Sequence, residues 1–207
     1  MPIVTISRQY GSGGSEVAER TAKLLGWELL DNEVVDAVAA RLGVSVAEVK
    51  AREERAPSLA ERLASAMALG SQEWVNPVAS TSRPTDEQML DVTRHILDEA
   101  VLRGPVVIVG RGAQAMLSSR SDALHVFCHA PRKALIARCI ERDKVDAKEA
   151  ARIVDETNKH RKEWVRLHWD REWAAADNYH LTVNTGWLGI EGAAELIAQA
   201  ARVRLSL

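Results

Sequence analysis

The sequence PIVTISRQYGSGGS, residues 2–15, decides the fold of this chain. Its first part, residues 2–7, is short and rich in β-branched side chains, which predicts a buried strand. The glycine-rich turn at residues 11–14 follows, and a helical pattern then runs to Gly26. Residues 27–31 predict a second strand. Strand, turn, helix and strand in this order are typical of a βαβ unit and therefore of a parallel sheet.

The rest of the chain continues the alternation of strands and helices. The run from Val106 to Val109 is apolar without alternation, as is typical of a central parallel strand. Two more strands are predicted at residues 123–128 and 181–183. Helices are predicted at residues 86–103, 131 to about 142 with Pro131 as the first helical residue, 146 to about 169, and 189–202. The prediction is an α/β fold, with a doubly wound parallel sheet of about five strands.

A helical insertion is predicted at about residues 32–84, since no strand pattern occurs between Asp31 and Gly104. Ser45 to Glu48 and Ser58 to Glu61 both have the spacing of a capping box, which marks the start of a helix. The sequence leaves open whether this insertion forms a substrate-binding site, a homodimer surface or both.

The composition excludes several classes of protein. Lys and Arg number 27 and Asp and Glu 29, so the chain has no overall basic field for a nucleic-acid polymer. The longest apolar runs are far too short to span a bilayer, which predicts no membrane segment. Cys128 and Cys139 form no CxxC pair, and the histidines have no metal-ligand spacing. We therefore expect a cytoplasmic protein with no disulfide framework and no structural metal site.

The glycine-rich turn is a candidate phosphate site. Its free backbone N–H groups and the positive end of the following helix dipole both favour an anion. The alternative is that the glycines only close a corner between strand and helix. In the P-loop pattern GxxxxGK[ST], Arg8 stands where the first glycine belongs and Gly14 where the lysine belongs, while Ser15 keeps the hydroxyl that reaches magnesium.

A dinucleotide-binding pattern fits the same turn about equally well. Gly11 and Gly13 match the first two glycines of GxGxxG, but Glu16 replaces the third. Asp31 ends the second strand, where a ribose-binding acid would lie. The short motif by itself does not separate the two patterns.

The wider sequence resembles the cytidylate kinase-like proteins, which are divergent relatives of bacterial cytidylate kinase. Four segments carry the resemblance, in addition to the long basic helix: ISRQYGSGGSEVA at 6–18, LGWELLD at 25–31, VIVGRG at 107–112 and NYHLTVNT at 178–185. The resemblance spans most of the chain and is weakest at about residues 45–85.

The resemblance implies a three-layer P-loop kinase fold with an NMP-binding insertion and a lid at about residues 142–172. The implied reaction moves the γ-phosphoryl group of MgATP to a nucleoside monophosphate, with CMP as the family-based acceptor. ATP and Mg²⁺ are the implied cofactors, and catalysis of this kind depends mostly on positioning and charge neutralisation.

The implied phosphate cradle consists of Gly11, Ser12, Gly13, Gly14 and Ser15, with Ser15 as the magnesium ligand. Arg8 is the nearest cation that could replace the missing lysine. The alternative is that Arg8 pairs with a surface acid. Asp31 resembles the acidic position near the acceptor nucleotide, and the alternative is that it caps the next helix.

Arg111 follows a buried strand at its carboxyl end, where ligands of open α/β sheets bind. It is a candidate clamp on phosphate, against the alternative of a solvated loop arginine. In cytidylate kinases an Asp commonly follows this Arg, and here Gly112 stands in its place.

The long basic helix and the helix before it supply the implied lid cations. These are Arg138, Arg142, Lys159 and Arg161, of which Arg138 and Arg142 would bind the nucleotide and Arg161 the transferred phosphate. The alternative is an ordinary solvated helix face. For Trp164, Trp169 and Trp173, packing of this helix onto the core is favoured over stacking on a base.

Two further functions remain as alternatives. The first is a nucleotide-binding regulator that has lost catalysis, which Gly14 and Gly112 motivate. The second is a dinucleotide-binding module that uses Gly11, Gly13 and Asp31, although the missing third glycine and the arginine-rich lid argue against it. The sequence gives neither the acceptor nor the oligomeric state.

Overall fold

A five-stranded sheet, parallel at every pairing, organises the chain in the computed structural model. The structure describes residues 1–47, 49 and 85–205. The strands are β1 (Ile3–Arg8), β2 (Glu28–Leu30), β3 (Val106–Val109), β4 (Ala123–His129) and β5 (Leu181–Asn184). They lie side by side in the order β2-β3-β1-β4-β5. The doubly wound α/β prediction is therefore confirmed.

Helices cover both faces of this sheet. They are α1 (Gly14–Leu25), α2 (Asn32–Leu42), α3 (Asp86–Arg103), α4 (Ala113–Met116), α5 (Arg132–Asp143), α6 (Ala147–Trp169) and α7 (Thr185–Arg204), with a 3₁₀ turn at Ala176–Asn178. Helices α2 and α3 pack on one face, and α1 and α7 on the other. Across the described part of the chain, no helix combines the length and the apolar character that a membrane span requires.

The central strands contribute side chains to a core on each face. In β3, Val106 and Ile108 join the core under α2 and α3, whereas Val107 and Val109 join the core under α1 and α7. All four side chains are fully buried. Because both faces are covered, the strand has no polar face, which explains its uninterrupted apolar run.

Most predicted elements are observed within one or two residues of their expected bounds. Pro131 differs, since it is the N-cap residue of α5 and not the first helical residue. The last helix begins at Thr185, four residues earlier than predicted, because the Asn184 side chain accepts a hydrogen bond from the Gly186 N–H group. Its backbone breaks at Gly189, where the prediction placed the helix start.

The predicted insertion begins as part of the core. Its first eleven residues form α2, whose Val34, Val35 and Val38 are buried against the sheet and α3. Glu48 and residues 50–84, which include the second predicted capping box, lie outside the described residues. The predicted lid, residues 142–172, contains α6, which packs on α5.

The strand order creates a crevice at one edge of the sheet. β1 lies between β3 and β4, and the chain crosses over β1 when it passes from β3 to β4. The loops that leave β1 and β3 therefore diverge at their carboxyl ends. In open α/β sheets this is where ligands bind.

We expect Ile6→Ala to lower the free energy of unfolding by about 2–5 kcal/mol, because truncating a fully buried aliphatic side chain leaves a cavity. Urea denaturation measures the change. Leu102→Ala is the control, since Leu102 is 79% exposed and its truncation should stay within about 0.5 kcal/mol. Equal losses in the two variants would contradict the described core.

A buried histidine predicts acid sensitivity. His125 binds Thr5 Oγ1 through Nδ1 at 2.7 Å and stacks on His180. Burial, and then the charge of His180, lower the pKa of His125 to about 4. In the unfolded chain this histidine has a pKa near 6.5, so between about pH 6.5 and pH 4 it is protonated in the unfolded chain but stays neutral in the folded chain. The contribution of His125 to the free energy of unfolding is therefore complete above this pH range and is lost as the pH falls through it.

We expect His125→Asn to lose less stability than the unmodified protein between pH 7 and pH 5, measured by urea denaturation at each pH. Some dependence should remain, because burial also lowers the pKa of His168. His95→Asn is the control, since His95 is exposed. An unchanged pH dependence in His125→Asn would exclude His125 as the cause.

Candidate phosphate-binding site

The glycine-rich loop joins β1 to α1 in a conformation that requires glycine at two positions. Gly11 and Gly13 have φ values of 80° and 74°, which L side chains rarely adopt. Gly13 is also the N-cap residue of α1 and has no side chain that could cap this helix end. The N–H groups of the first turn therefore point toward a position suited to an anion.

Contacts with the end of the sheet hold the loop in place. Ser12 Oγ donates to the Gln9 carbonyl oxygen at 2.8 Å, and Thr185 Oγ1 donates to the Ser12 carbonyl oxygen at 2.7 Å. Gln9 Oε1 in turn accepts from the Ala130 N–H group. The loop is thus tied to the residue after β4 and to the first residue of α7.

Tyr10 connects the loop to α5 and α6. Its N–H group donates to Asn158 Oδ1 at 2.7 Å and its hydroxyl donates to Asp143 Oδ2 at 2.9 Å. The Arg142 guanidinium lies 4.5 Å from the centre of its ring. Burial, and then the bond to Asp143, raise the pKa of Tyr10 to about 12, so the phenol stays a donor.

Arg138, on α5, lies against the glycine-rich loop. Its Nη2 lies 2.7 Å from Glu16 Oε1, in the first turn of α1. Its guanidinium is packed so closely on Gly13 that a Cβ atom there would lie 3.1 Å from Cζ. Burial is the largest single effect on Glu16 and opposes its ionisation. The hydrogen bond from Arg138, the bond to the backbone of Glu16 and the charges of Arg138 and Arg142 together outweigh it, so the pKa of Glu16 lies below its usual range.

Arg8, the last residue of β1, extends across the carboxyl end of β3. Its Cβ and Cγ pack on Gly14 and its guanidinium on Gly110, each so closely that an added Cβ would overlap it. Its Nη2 lies 3.8 Å from Asp31 Oδ1, beyond the end of β2. The Asp31 side chain is only 14% exposed, so this acid near Arg8 is largely buried, unlike the surface acid of the alternative.

Asp31 occupies the N-cap position of α2, but its side chain makes no capping hydrogen bond among the described residues. It faces Arg8 instead. Of the two interpretations of Asp31, the structure therefore supports a carboxylate directed at the carboxyl edge of the sheet.

Arg111 lies in a segment of left-handed backbone. Gly110, Arg111 and Gly112 have φ values of 68°, 57° and 66°, of which the value at Arg111 is costly for a side chain. Burial, and to a smaller extent the charge of Arg8, lower the pKa of Arg111 to about 10 against the opposing effect of Asp31 and Asp36. Arg111 is therefore a desolvated cation and not a solvated loop residue.

Arg161 completes a cluster of three arginines. From the middle of α6, its Nη1 donates to the Arg8 carbonyl oxygen at 2.8 Å. Arg8, Arg111 and Arg161 line one cavity of about 90 Å³, together with Trp164, Trp173 and Tyr179 among others. This volume suits a phosphoryl group and is far below the roughly 300 Å³ that a drug-sized ligand requires.

Two tryptophans of the predicted set are buried by packing. Trp164 and Trp173 are 9% and 8% exposed, and Trp173 contacts Phe127 edge to face. Trp169 lies on Gly112, where an added Cβ would overlap its ring. An Asp at position 112 would meet this ring and an unfavourable φ, so the surroundings of Gly112 favour glycine over the Asp found in cytidylate kinases.

Other predicted residues lie away from the cavity. Lys159 is 70% exposed and pairs with Glu163 at 3.8 Å, so the structure does not bring it to the arginine cluster. Arg142 pairs with Asp143 and stacks on Tyr10. Ser15 lies in the first turn of α1, on the loop side.

The described residues contain no group of three or more His, Cys, Asp or Glu side chains that could hold a metal ion. A divalent ion at this site would therefore depend on the Ser15 hydroxyl and on oxygens of a bound phosphate, which is how Mg²⁺ is often held. The loop, the uncapped helix end and the arginine cluster fit a phosphate chain that would carry such an ion.

The sequence did not indicate the roles of three residues at this site: Tyr10, Glu16 and Asn158. Tyr10 could have been noticed as an aromatic residue inside a glycine-rich loop, and Glu16 as an acid in the first turn of the following helix. Asn158 is one polar residue on a polar helix, and nothing in the sequence distinguishes it.

A family model described as the cytidylate kinase-like family matches residues 3–186 of the chain. No curated protein sequence matches significantly. Among solved structures, an uncharacterized protein from Eubacterium ventriosum superposes with a TM-score of 0.71 at 20% identity, over 99% of this chain and 100% of that one.

Kinases also superpose on the chain. Shikimate kinase from Acinetobacter baumannii, in complex with shikimate, gives a TM-score of 0.53 at 19% identity, over 100% of this chain and 94% of that one. A gluconokinase from Sinorhizobium meliloti gives 0.53 at 13% identity, over 98% and 94%. At these identities the likeness establishes the fold, which is that of the P-loop kinases.

We expect Arg111→Lys to make anion binding sensitive to pH. A lysine starts from a lower pKa than an arginine, near 10.4, and the same burial would bring it toward neutrality. Calorimetry with sulfate should give equal affinity at pH 6.5 and pH 8.5 for the unmodified protein, and several-fold weaker binding at pH 8.5 for Arg111→Lys. Arg166→Lys, at an exposed position of α6, is the control. Equal affinity of Arg111→Lys at both pH values would contradict the desolvated site.

Proposed function

We propose a function that proceeds from one premise: the chain belongs to the cytidylate kinase-like family. Its family and its P-loop kinase fold support a nucleotide-dependent phosphotransferase. The specific proposal is transfer of the γ-phosphoryl group of MgATP to a nucleoside monophosphate, with CMP as the first acceptor to test.

The arginine cluster is the observation that carries the proposal. Phosphoryl transfer spreads negative charge over the oxygens of the moving group, and catalysis consists mostly of positioning and neutralising that charge. Arg8, Arg111 and Arg161 line a single small cavity at the carboxyl ends of β1 and β3. Its volume of about 90 Å³ suits the transferred group.

The donor would lie with its phosphates along the glycine loop. The N–H groups at the start of α1 would bind the phosphate oxygens, and Arg138 would neutralise charge beside Gly13. Ser15 would hold the magnesium ion, which neutralises charge on the phosphates when bound. Arg142 would order the loop through Tyr10 instead of binding the nucleotide directly.

The acceptor would approach from the side of β2 and β3. Asp31 and Arg111 lie at the carboxyl ends of these strands, and Arg111 would bind the acceptor phosphate. The choice of CMP rests on the family and not on a base-binding contact, because most of residues 32–84 lie outside the described part. We propose that this segment supplies the acceptor site.

The alternative of a nucleotide-binding regulator predicts ATP binding without transfer. Gly14 and Gly112 motivated it, but both glycines face large side chains, Arg8 and Trp169, which occupy the space of the residues they replace. This favours an intact phosphate site over a degraded one.

The test is an ADP-release assay with MgATP against CMP, dCMP, UMP, AMP and GMP, with shikimate and gluconate as non-nucleotide acceptors. We expect turnover with a nucleoside monophosphate. Arg161→Ala should lower kcat by about 100-fold, as the loss of one donor to the transferring group typically does. Arg166→Ala, which removes an exposed arginine from the same helix, should keep the activity.

Each outcome has a distinct meaning. ATP binding by calorimetry without turnover would support the regulator. Turnover with shikimate or gluconate alone would retain the kinase and refute the nucleoside monophosphate acceptor. NAD binding that does not depend on magnesium would favour the dinucleotide-binding module.

A further inference from the structure

We propose that Arg8 and Gly14 are a reciprocal exchange of the glycine and the lysine of the P-loop pattern, so that strand β1 and not helix α1 supplies the loop's phosphate-binding cation. This inference rests on the proposed phosphotransfer function and deepens it. Under this inference the two departures from GxxxxGK[ST] are linked, since the cation lost at position 14 is regained at position 8.

The two positions compete for the same space. An atom placed as the Cβ of residue 14 would overlap Arg8 Cβ and lie 2.7 Å from Arg8 Cγ. Real Cβ atoms do not approach other atoms so closely, so a side chain at one position excludes a side chain at the other. In the usual pattern the glycine comes first and the lysine seventh. Here the arginine comes first and the glycine seventh.

The backbone does not require glycine at position 14. Gly14 is the first residue of α1 and is not among the glycines with positive φ, unlike Gly11 and Gly13. Helical φ and ψ accept any L residue. The remaining reason for glycine is therefore the stem of Arg8.

The exchange conserves the charge and brings it to the phosphate site. From its stem on Gly14, the Arg8 side chain reaches Gly110, where its guanidinium enters the cavity shared with Arg111 and Arg161. Arg161 fixes the start of this path through its bond to the Arg8 carbonyl oxygen. A lysine would offer a point charge, whereas the guanidinium fork can hold two oxygens of one phosphoryl group.

The decisive experiment restores the usual pattern. Arg8→Gly alone should keep its fold and lose about 100-fold in kcat with MgATP and its acceptor. Gly14→Lys alone should lose both stability and activity. The double variant Arg8→Gly/Gly14→Lys should regain at least about tenfold in kcat over Arg8→Gly.

The matched control differs from the double variant Arg8→Gly/Gly14→Lys by one methyl group, at residue 8. Arg8→Ala/Gly14→Lys has the same charges, but its residue 8 keeps the Cβ atom that the new side chain would overlap. We expect its Tm to lie several degrees below that of Arg8→Gly/Gly14→Lys, as overpacking produces in a chain of this length. Its activity should not recover.

A second pair of variants tests the steric overlap between residues 8 and 14 without any nucleotide. Gly14→Ala should lower the Tm by several degrees, and Arg8→Gly should abolish that loss. Gly13→Ala should lower the Tm equally with and without Arg8→Gly, because it meets Ile190 and has a positive φ. A Gly14→Ala loss that persists in the Arg8→Gly background would overturn the exchange.

Calorimetry with MgATP separates this inference from the proposed function. If the protein binds MgATP but transfers nothing, the exchange is judged by whether Arg8→Gly weakens binding and the double variant restores it. An Arg8→Gly variant that binds and transfers like the unmodified protein would refute the cation role, while the kinase would stand. Unmodified protein that binds no MgATP would refute both, and the Tm pair would still report on the shared space.

Discussion

Parallel pairing of β1 between β3 and β4 is the constraint on which the site depends. All five strands point the same way, so their carboxyl ends meet at one edge of the sheet. Arg8 ends β1, Asp31 follows β2 and Arg111 follows β3, although these residues are far apart in sequence. The polar groups collect at this edge because both faces of the sheet are covered by helices and accept apolar side chains.

Close approach of side chains to the backbone is the second principle of the site. Arg8 crosses Gly14 and Gly110, and Trp169 lies on Gly112. Each of these glycines leaves room for a large side chain from elsewhere in the fold. Positions that look like losses when the sequence is set against a motif are therefore filled in space, and a motif comparison alone misjudges them.

The cations of the site differ in their burial and in the groups around them. Arg111 is desolvated and strained, and the Arg8 guanidinium lies 3.8 Å from the largely buried carboxylate of Asp31. Exposed cations on α6, such as Lys159, pair with neighbours on their own helix and contribute little.

The strands, most of the helices, the glycine loop and the candidate arginines could be predicted from the sequence, because periodicity and turn chemistry are local properties of the chain. The sequence left open which acid lies near Arg8, where the Asp31 side chain points and which of the predicted lid cations reach the loop or the cavity. These depend on the tertiary structure, which brings α6, β1 and the segment after β3 to one cavity and places Asp31 near Arg8. The physical reason is that steric exclusion between residues 8 and 14, and desolvation at residue 111, depend on what the folded chain places around them.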